Sequence, residues 1–113
     1  MKHTLLALAL SFAAIGDTIT AYCPCRKCCG QWAGSGQRTA SGTVPTPGRT
    51  VAGPRSVPFG TRVHIAGVGW RVVEDRTAKR YDGRWDVFFD DHDAALRFGK
   101  REVKVTVERK AKQ

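Results

Sequence analysis

The sequence predicts a small, mainly β domain with one short helix. Three observations lead there: short alternating runs rich in Val, Ile, Thr and aromatics, Gly- and Pro-rich joints between them, and a single stretch with helical spacing. The chain has 113 residues, 42% of them hydrophobic and 9% aromatic, which gives room for one domain with one core and excludes a disordered chain.

The chain opens with Lys2 and His3, an apolar run from Leu5 to Leu10, and the small-residue stretch Ser11-Phe12-Ala13-Ala14. This is the order of an export signal, so residues 1–14 are expected to be a signal peptide; a first buried strand or helix is the competing reading. The run falls short of the roughly 20 apolar residues that span a bilayer, so no stable membrane insertion is expected after signal removal. The expected organisation is a signal over 1–14, a domain over 18–108 and a basic tail over 109–113, in a protein exported to the periplasm, the extracellular space or the cell wall.

Thr18-Ile19-Thr20-Ala21-Tyr22 alternates and is β-rich, so it reads as the first strand. From Gly30 to Pro58 the composition turns to Gly, Ser, Thr and Pro, which predicts loops with one short strand at Thr50-Val51-Ala52. Further strands are predicted at 61–65, 70–73, 85–89 and 103–107, the last with the cleanest alternation. The helix runs from Asp91 to Phe98. Ala94, Ala95, Leu96 and Phe98 are its apolar residues, acids occupy its first turn and Gly99 stops it.

The net charge is +9, or +8 once Lys2 leaves with the signal. Such a surface attracts anionic polymers, including nucleic acid, anionic lipid and the acidic bacterial wall, and charge alone does not choose among them. Seven of the ten carboxylates nevertheless fall between residues 70 and 93: Glu74, Asp75, Asp82, Asp86, Asp90, Asp91 and Asp93. Asp86 lies inside the run Trp85, Val87, Phe88, Phe89, and Asp75 follows Val72-Val73. A carboxyl that has lost water is harder to ionise, which suits a general acid. The plainer alternative has Asp86 pointing out of a half-buried strand or paired with Arg76, Lys79, Arg80 or Arg84.

Seven short motifs occur in a characteristic order. They are Thr20-Ala21-Tyr22, Thr39-Ala40-Ser41-Gly42, Gly48-Arg49-Thr50-Val51-Ala52, Val57-Pro58-Phe59-Gly60-Thr61-Arg62-Val63, Glu74-Asp75, Trp85-Asp86-Val87-Phe88-Phe89 and Ala95-Leu96-Arg97-Phe98-Gly99. Together they resemble the 3D domain, named for three aspartates. That domain is similar to the double-psi β-barrel of the membrane-bound lytic transglycosylase A family, of stationary-phase-survival cell-wall enzymes and of rare lipoprotein A-type proteins. The resemblance runs from about Thr18 to Val107. It implies a small six-stranded double-psi β-barrel with one short helix, acting on peptidoglycan glycan strands.

The resemblance also implies site residues. Asp75 matches the second family aspartate, and Asp86 matches the third, which serves as acid and then base. Thr39, Ser41, Gly42 and Trp85 would bind substrate, and no metal or other cofactor would be needed for catalysis. The implied reaction is lytic transglycosylase cleavage of the MurNAc–GlcNAc β-1,4 bond; the alternative is a non-catalytic barrel that binds peptidoglycan or another polysaccharide. The chain departs from the pattern twice: Gly53 stands where the first aspartate is usual, and Arg76-Thr77-Ala78 replaces the Gly-Gly after the second. A nucleic-acid-binding barrel would fit the charge but would explain neither the signal nor Asp86, so no nucleic-acid partner is expected.

Cys23, Cys25, Cys28 and Cys29 are the only cysteines and fall within seven residues. In an exported chain they read as two disulfides. A bond between adjacent Cys28 and Cys29 would be strained, so each would pair with Cys23 or Cys25. The rival reading is a structural zinc held by all four thiolates, although the spacing is tight and no His is near in sequence. Either arrangement would fasten a segment with little core of its own. His92 reads as part of the helix start, and His64 as the exposed side of a strand. Trp32, Trp70 and Trp85 are candidate sugar platforms, with core packing expected for at least two of them.

Overall fold

The computed structural model describes residues 16–25 and 36–108. The expected signal over 1–14 and tail over 109–113, together with Cys28, Cys29 and Trp32, lie outside the described residues. The strands are β1 (Asp17–Tyr22), β2 (Thr50–Gly53), β3 (Arg62–Ile65), β4 (Gly69–Arg76), β5 (Trp85–Phe88), β6 (Arg101–Val103) and β7 (Val105–Val107). A 3₁₀ turn covers Lys79–Tyr81, and helix α1 covers His92–Phe98.

The seven strands form one mixed sheet in the order β6-β1-β5-β2-β4-β3-β7. β1 is parallel to β5 and β2 to β4, while the other neighbours are antiparallel. The mainly β character and the short helix agree with the sequence. The expected six-stranded double-psi β-barrel is met only in part: the single strand expected over 103–107 is two strands, and among the described residues no ladder closes the seven-stranded sheet. Arg101–Val103 pairs with β1, and Val105–Val107 pairs with β3. Lys104 stands between them, its carbonyl accepting the Ala66 amide at 3.0 Å. The two edge strands are therefore consecutive in the chain, and one residue links the sheet's opposite margins.

Strand periodicity builds the core. Side chains alternate between faces, and Ile19, Val51, Val63, Ile65, Val73, Trp85 and Val87 meet on the buried face, each at most 4% exposed. A smaller buried cluster joins Tyr22, Ala52 and Phe88. Tyr22 and Phe88 meet edge to face with centroids 5.3 Å apart, a favoured geometry for aromatic pairs. β3 and β4 are joined tightly, Val68 donating to the Ile65 carbonyl at 2.9 Å, with Gly67 at φ +79°. That left-handed conformation suits a residue without Cβ.

The register between β2 and β4 shifts in one place. Val51 faces Val73 and Ala52 faces Asp75, so Glu74 is an extra residue in β4. Such a bulge re-aims the side chains around it. Glu74, 4% exposed, turns its carboxylate to the Thr50 hydroxyl at 2.8 Å and to Arg49 Nε at 2.9 Å. This buried acid is paired and organises the loop leading into β2.

α1 begins as its sequence dictates. The Asp91 carboxylate accepts the Ala94 amide at 2.9 Å as the N-cap, and Gly99, at φ +69°, donates back to the Ala95 carbonyl. Phe98 packs on Phe89, with ring centroids 5.5 Å apart.

Candidate functional site

Strand register sets the site. Thr20 on β1 faces Asp86 on β5, Asp86 faces Ala52 on β2, and Ala52 faces Asp75 on β4. The two aspartates thus share one row across adjacent strands, with alanine between them. Two ladder spacings put their backbones about 9–10 Å apart. Alternation sends Trp85 and Val87 into the core and leaves Asp86 and Phe88 on the other face, where Tyr22 and Ala52 also lie.

Asp86 accepts a hydrogen bond from the Thr20 hydroxyl at 3.0 Å. Loss of water pushes its carboxyl up to about 6; the Thr20 hydroxyl opposes the rise by favouring the charged form, and the negative charge of Asp75 adds to it. The ion pairs among the described residues are Arg49–Glu74, Arg55–Asp82 and Arg62–Glu108, so none of the neighbouring cations neutralises Asp86. It is a desolvated acid on the sheet face opposite the main core.

Asp75 is held differently. The Tyr22 hydroxyl donates to its Oδ2 at 2.7 Å, while the Ala40 and Arg76 amides both donate to Oδ1 at 2.9 Å. Three donors from three separate segments fix this carboxylate beside Ala52. Of the other acids, Asp82 accepts the Arg55 amide at 2.9 Å and lies in the connection before β5. Asp91 caps α1, and Asp93 sits in its first turn.

The expected substrate-binding residues separate into two groups. Thr39 is buried, and its hydroxyl joins those of Ser41 at 3.1 Å and Thr43 at 2.7 Å. Ser41 donates its amide to the Glu74 carbonyl at 3.1 Å, which lays the 39–43 turn beside Asp75. Gly42, at φ +94°, is exposed with open space around its Cα. Thr39, Ser41 and Gly42 therefore border the aspartate row. Trp85 does not: it is 4% exposed in the core behind Asp86, too enclosed to offer a sugar a stacking surface. Among the described residues the exposed tryptophan is Trp70, under Arg62 in an open depression also lined by Gly48, Arg49, Arg71 and Val72, which includes neither aspartate.

Both departures from the three-aspartate pattern have a structural setting. Gly53 is buried, and a Cβ there would meet Trp85 at 3.0 and 3.3 Å and Val73 at 3.2 Å. A side chain at 53 would thus enter the core, on the face opposite the aspartate row, in space that Trp85 fills. Arg76 directs its guanidinium to the carbonyls of Val57 at 2.8 Å and Gly53 at 3.4 Å and covers the Phe59 ring.

Thr20 and Tyr22, two residues apart on β1, are the side chains that hydrogen-bond Asp86 and Asp75, and their spacing alone gives no sign of that role. His92 is a larger departure from expectation. Its Nδ1 lies 3.1 Å from Cys25 Sγ and 3.4 Å from Cys23 Sγ, and the two sulfurs are 3.1 Å apart. A histidine is therefore beside the cysteine cluster, brought there from the start of α1. The expected disulfide partners Cys28 and Cys29 lie outside the described residues.

No family model matches the chain. Part of it is similar to "Putative cell wall shaping protein YabE" of Bacillus subtilis (strain 168), with 32% identity over 54 residues. The matched stretch is 48% of this chain and 13% of that relative, so the chain spans a small part of the relative's length.

Proposed function

We propose that this domain acts on the bacterial cell wall as a lytic transglycosylase, with Asp86 as the acid and then the base. The observation that carries the reading is the pairing of a desolvated Asp86, raised to about 6, with a rigidly held Asp75 across Ala52. The local similarity to a protein named for cell wall shaping supports the choice of substrate.

In this reading protonated Asp86 gives its proton to the oxygen of the MurNAc–GlcNAc bond as the C1–O bond breaks. The resulting carboxylate then takes the proton from the muramyl C6 hydroxyl, whose oxygen closes on C1 to form a 1,6-anhydro ring. Asp86 ends protonated, and no water is consumed. Asp75, fixed by Tyr22 and two amides, supplies negative charge that favours the positive oxocarbenium-like transition state and keeps Asp86 harder to ionise. The cationic chain favours approach to an anionic wall.

A second reading, a wall-binding domain without turnover, is favoured by one observation: Gly53 supplies no third carboxylate and its surroundings leave no room for one. Purified protein incubated with sacculi distinguishes the two. The catalytic reading expects 1,6-anhydromuropeptides by mass spectrometry from wild type and at least about 100-fold less from Asp86→Asn. Equal release from both, or none from wild type, refutes it, and sedimentation with sacculi without release supports the binding domain.

A further inference from the structure

We propose that Cys23, Cys25 and His92 form a zinc site that clamps the end of β1 to the start of α1. The three side chains come from segments 67 or more residues apart, yet their donor atoms all lie within 4.8 Å of one another. Two sulfurs and an imidazole nitrogen are a donor set suited to zinc. Bonds of about 2.3 Å to sulfur and 2.0–2.1 Å to nitrogen at tetrahedral angles require roughly 3.8 Å between sulfurs and 3.6 Å from sulfur to nitrogen. The separations here are 3.1, 3.1 and 3.4 Å, so an ion enters by spreading the donors, by about 0.7 Å between the sulfurs and about 0.2–0.5 Å between sulfur and nitrogen.

The scaffold holds these donors from both sides. Cys23, 1% exposed, directly follows β1, and the preceding Tyr22 carbonyl accepts the Phe89 amide at 2.8 Å. That bond ties the end of β1 to the segment that leads from β5 into α1. Asp91 caps the helix immediately before His92, setting the backbone from which Nδ1 faces the sulfurs. With Nδ1 on zinc, the ring proton resides on Nε2. Three donors on two anchored segments leave one tetrahedral position for a further ligand.

The site has a structural consequence at the aspartate row. Tyr22, next to Cys23 in the chain, carries the hydroxyl bound to Asp75, so the clamp fixes the strand end that positions this donor. The proposal is independent of the glycosidase reading, because it is tested without substrate.

The test uses the full chain purified at neutral pH without chelator, with metal content measured by elemental analysis and the zinc then exchanged for cobalt. Wild type is expected to hold about one zinc per chain and to give the intense visible bands and thiolate charge-transfer absorption of tetrahedral cobalt. His92→Ala and Cys25→Ser are expected to retain less than about a tenth of the metal, and His92→Cys to restore it with a stronger charge-transfer band. Chelation should lower Tm, and zinc should restore it. Where His92→Ala fails to fold by circular dichroism, the wild-type cobalt spectrum and His92→Cys decide the question. Full zinc retention in folded His92→Ala, weak octahedral cobalt bands, or reduced wild type that takes up no zinc would each overturn the proposal. So would peptide mapping that finds Cys23 and Cys25 in disulfides in the native protein.

Discussion

Thr20 and Asp86 face each other on the parallel β1–β5 ladder, and the Thr20 hydroxyl donates to the carboxylate that burial makes reluctant to ionise. The contact favours the charged form, so it restrains the upward shift. Replacing Thr20 with Val should move the alkaline limb of the pH–activity profile upward by about one to two units, since a hydrogen bond to a charged group is worth roughly 1.5–3 kcal/mol. Asp75→Asn should move it downward by less, because it removes the smaller, like-charge contribution. Profiles of anhydromuropeptide release against pH check both directions; an unchanged limb in the Thr20 variant would remove the hydroxyl from the account.

The same acid links stability to pH. Asp86 titrates near 6 in the folded chain, above the ordinary aspartate value of 3.8. Between these values the folded state holds the extra proton, so its stability falls as pH rises and levels off above 6. Asp86→Asn removes that penalty. It should therefore be more stable than wild type by about 1–3 kcal/mol at pH 7, the lower part of the range reflecting partial exposure, with the gap closing by pH 4. Denaturant titrations at the two pH values measure it, and a gap of equal size at both would contradict the assignment.

Tyr22→Phe keeps the edge-to-face pair with Phe88 and deletes the donor to Asp75 Oδ2. The expected cost is about 1–2 kcal/mol in unfolding free energy. Turnover should fall without loss of sacculus binding, because Asp75 keeps its two amide donors but loses the third constraint. Paired measurements of product release and sedimentation separate the two effects.

An aspartate at position 53, where the resembled pattern has one, should not add a third carboxylate to the row. Gly53→Asp points its Cβ at Trp85 and Val73 and carries a carboxylate into the core. Overpacking alone costs about 1–3 kcal/mol, and burying the charge adds to it. A lowered Tm without gain in product release is expected; a more active variant would mean that Trp85 moves aside and position 53 reaches the row.

Much of this arrangement was legible in the sequence because it is local. Alternation located most strands, the acids before Ala94 with Gly99 after Phe98 bounded the helix, and the resemblance to the three-aspartate pattern singled out Asp75 and Asp86. Strand alternation also contained a warning about Trp85 and Val87: neighbours of Asp86 in sequence lie on the opposite face, so its desolvation arises on its own side of the sheet. The less legible features depend on distant pairing. The bulge at Glu74 needs the β2–β4 register, Tyr22 reaches Asp75 across 53 residues, and His92 meets Cys25 across 67. The split at Lys104 was hidden because Val103, Val105 and Val107 keep one apolar period through it.

That split makes the fold's seam its last part to be synthesised. β1 finds its central partner 66 residues downstream, and both outer partners, β6 and β7, come from one short stretch ending at Val107. Folding that depends on such distant pairing is slow. A chain cut before Arg101 would lack both outer strands at once, leaving β1 and β3 open to pairing between molecules. Loss of the stretch that carries β6 and β7 would thus open the sheet to pairing from two sides.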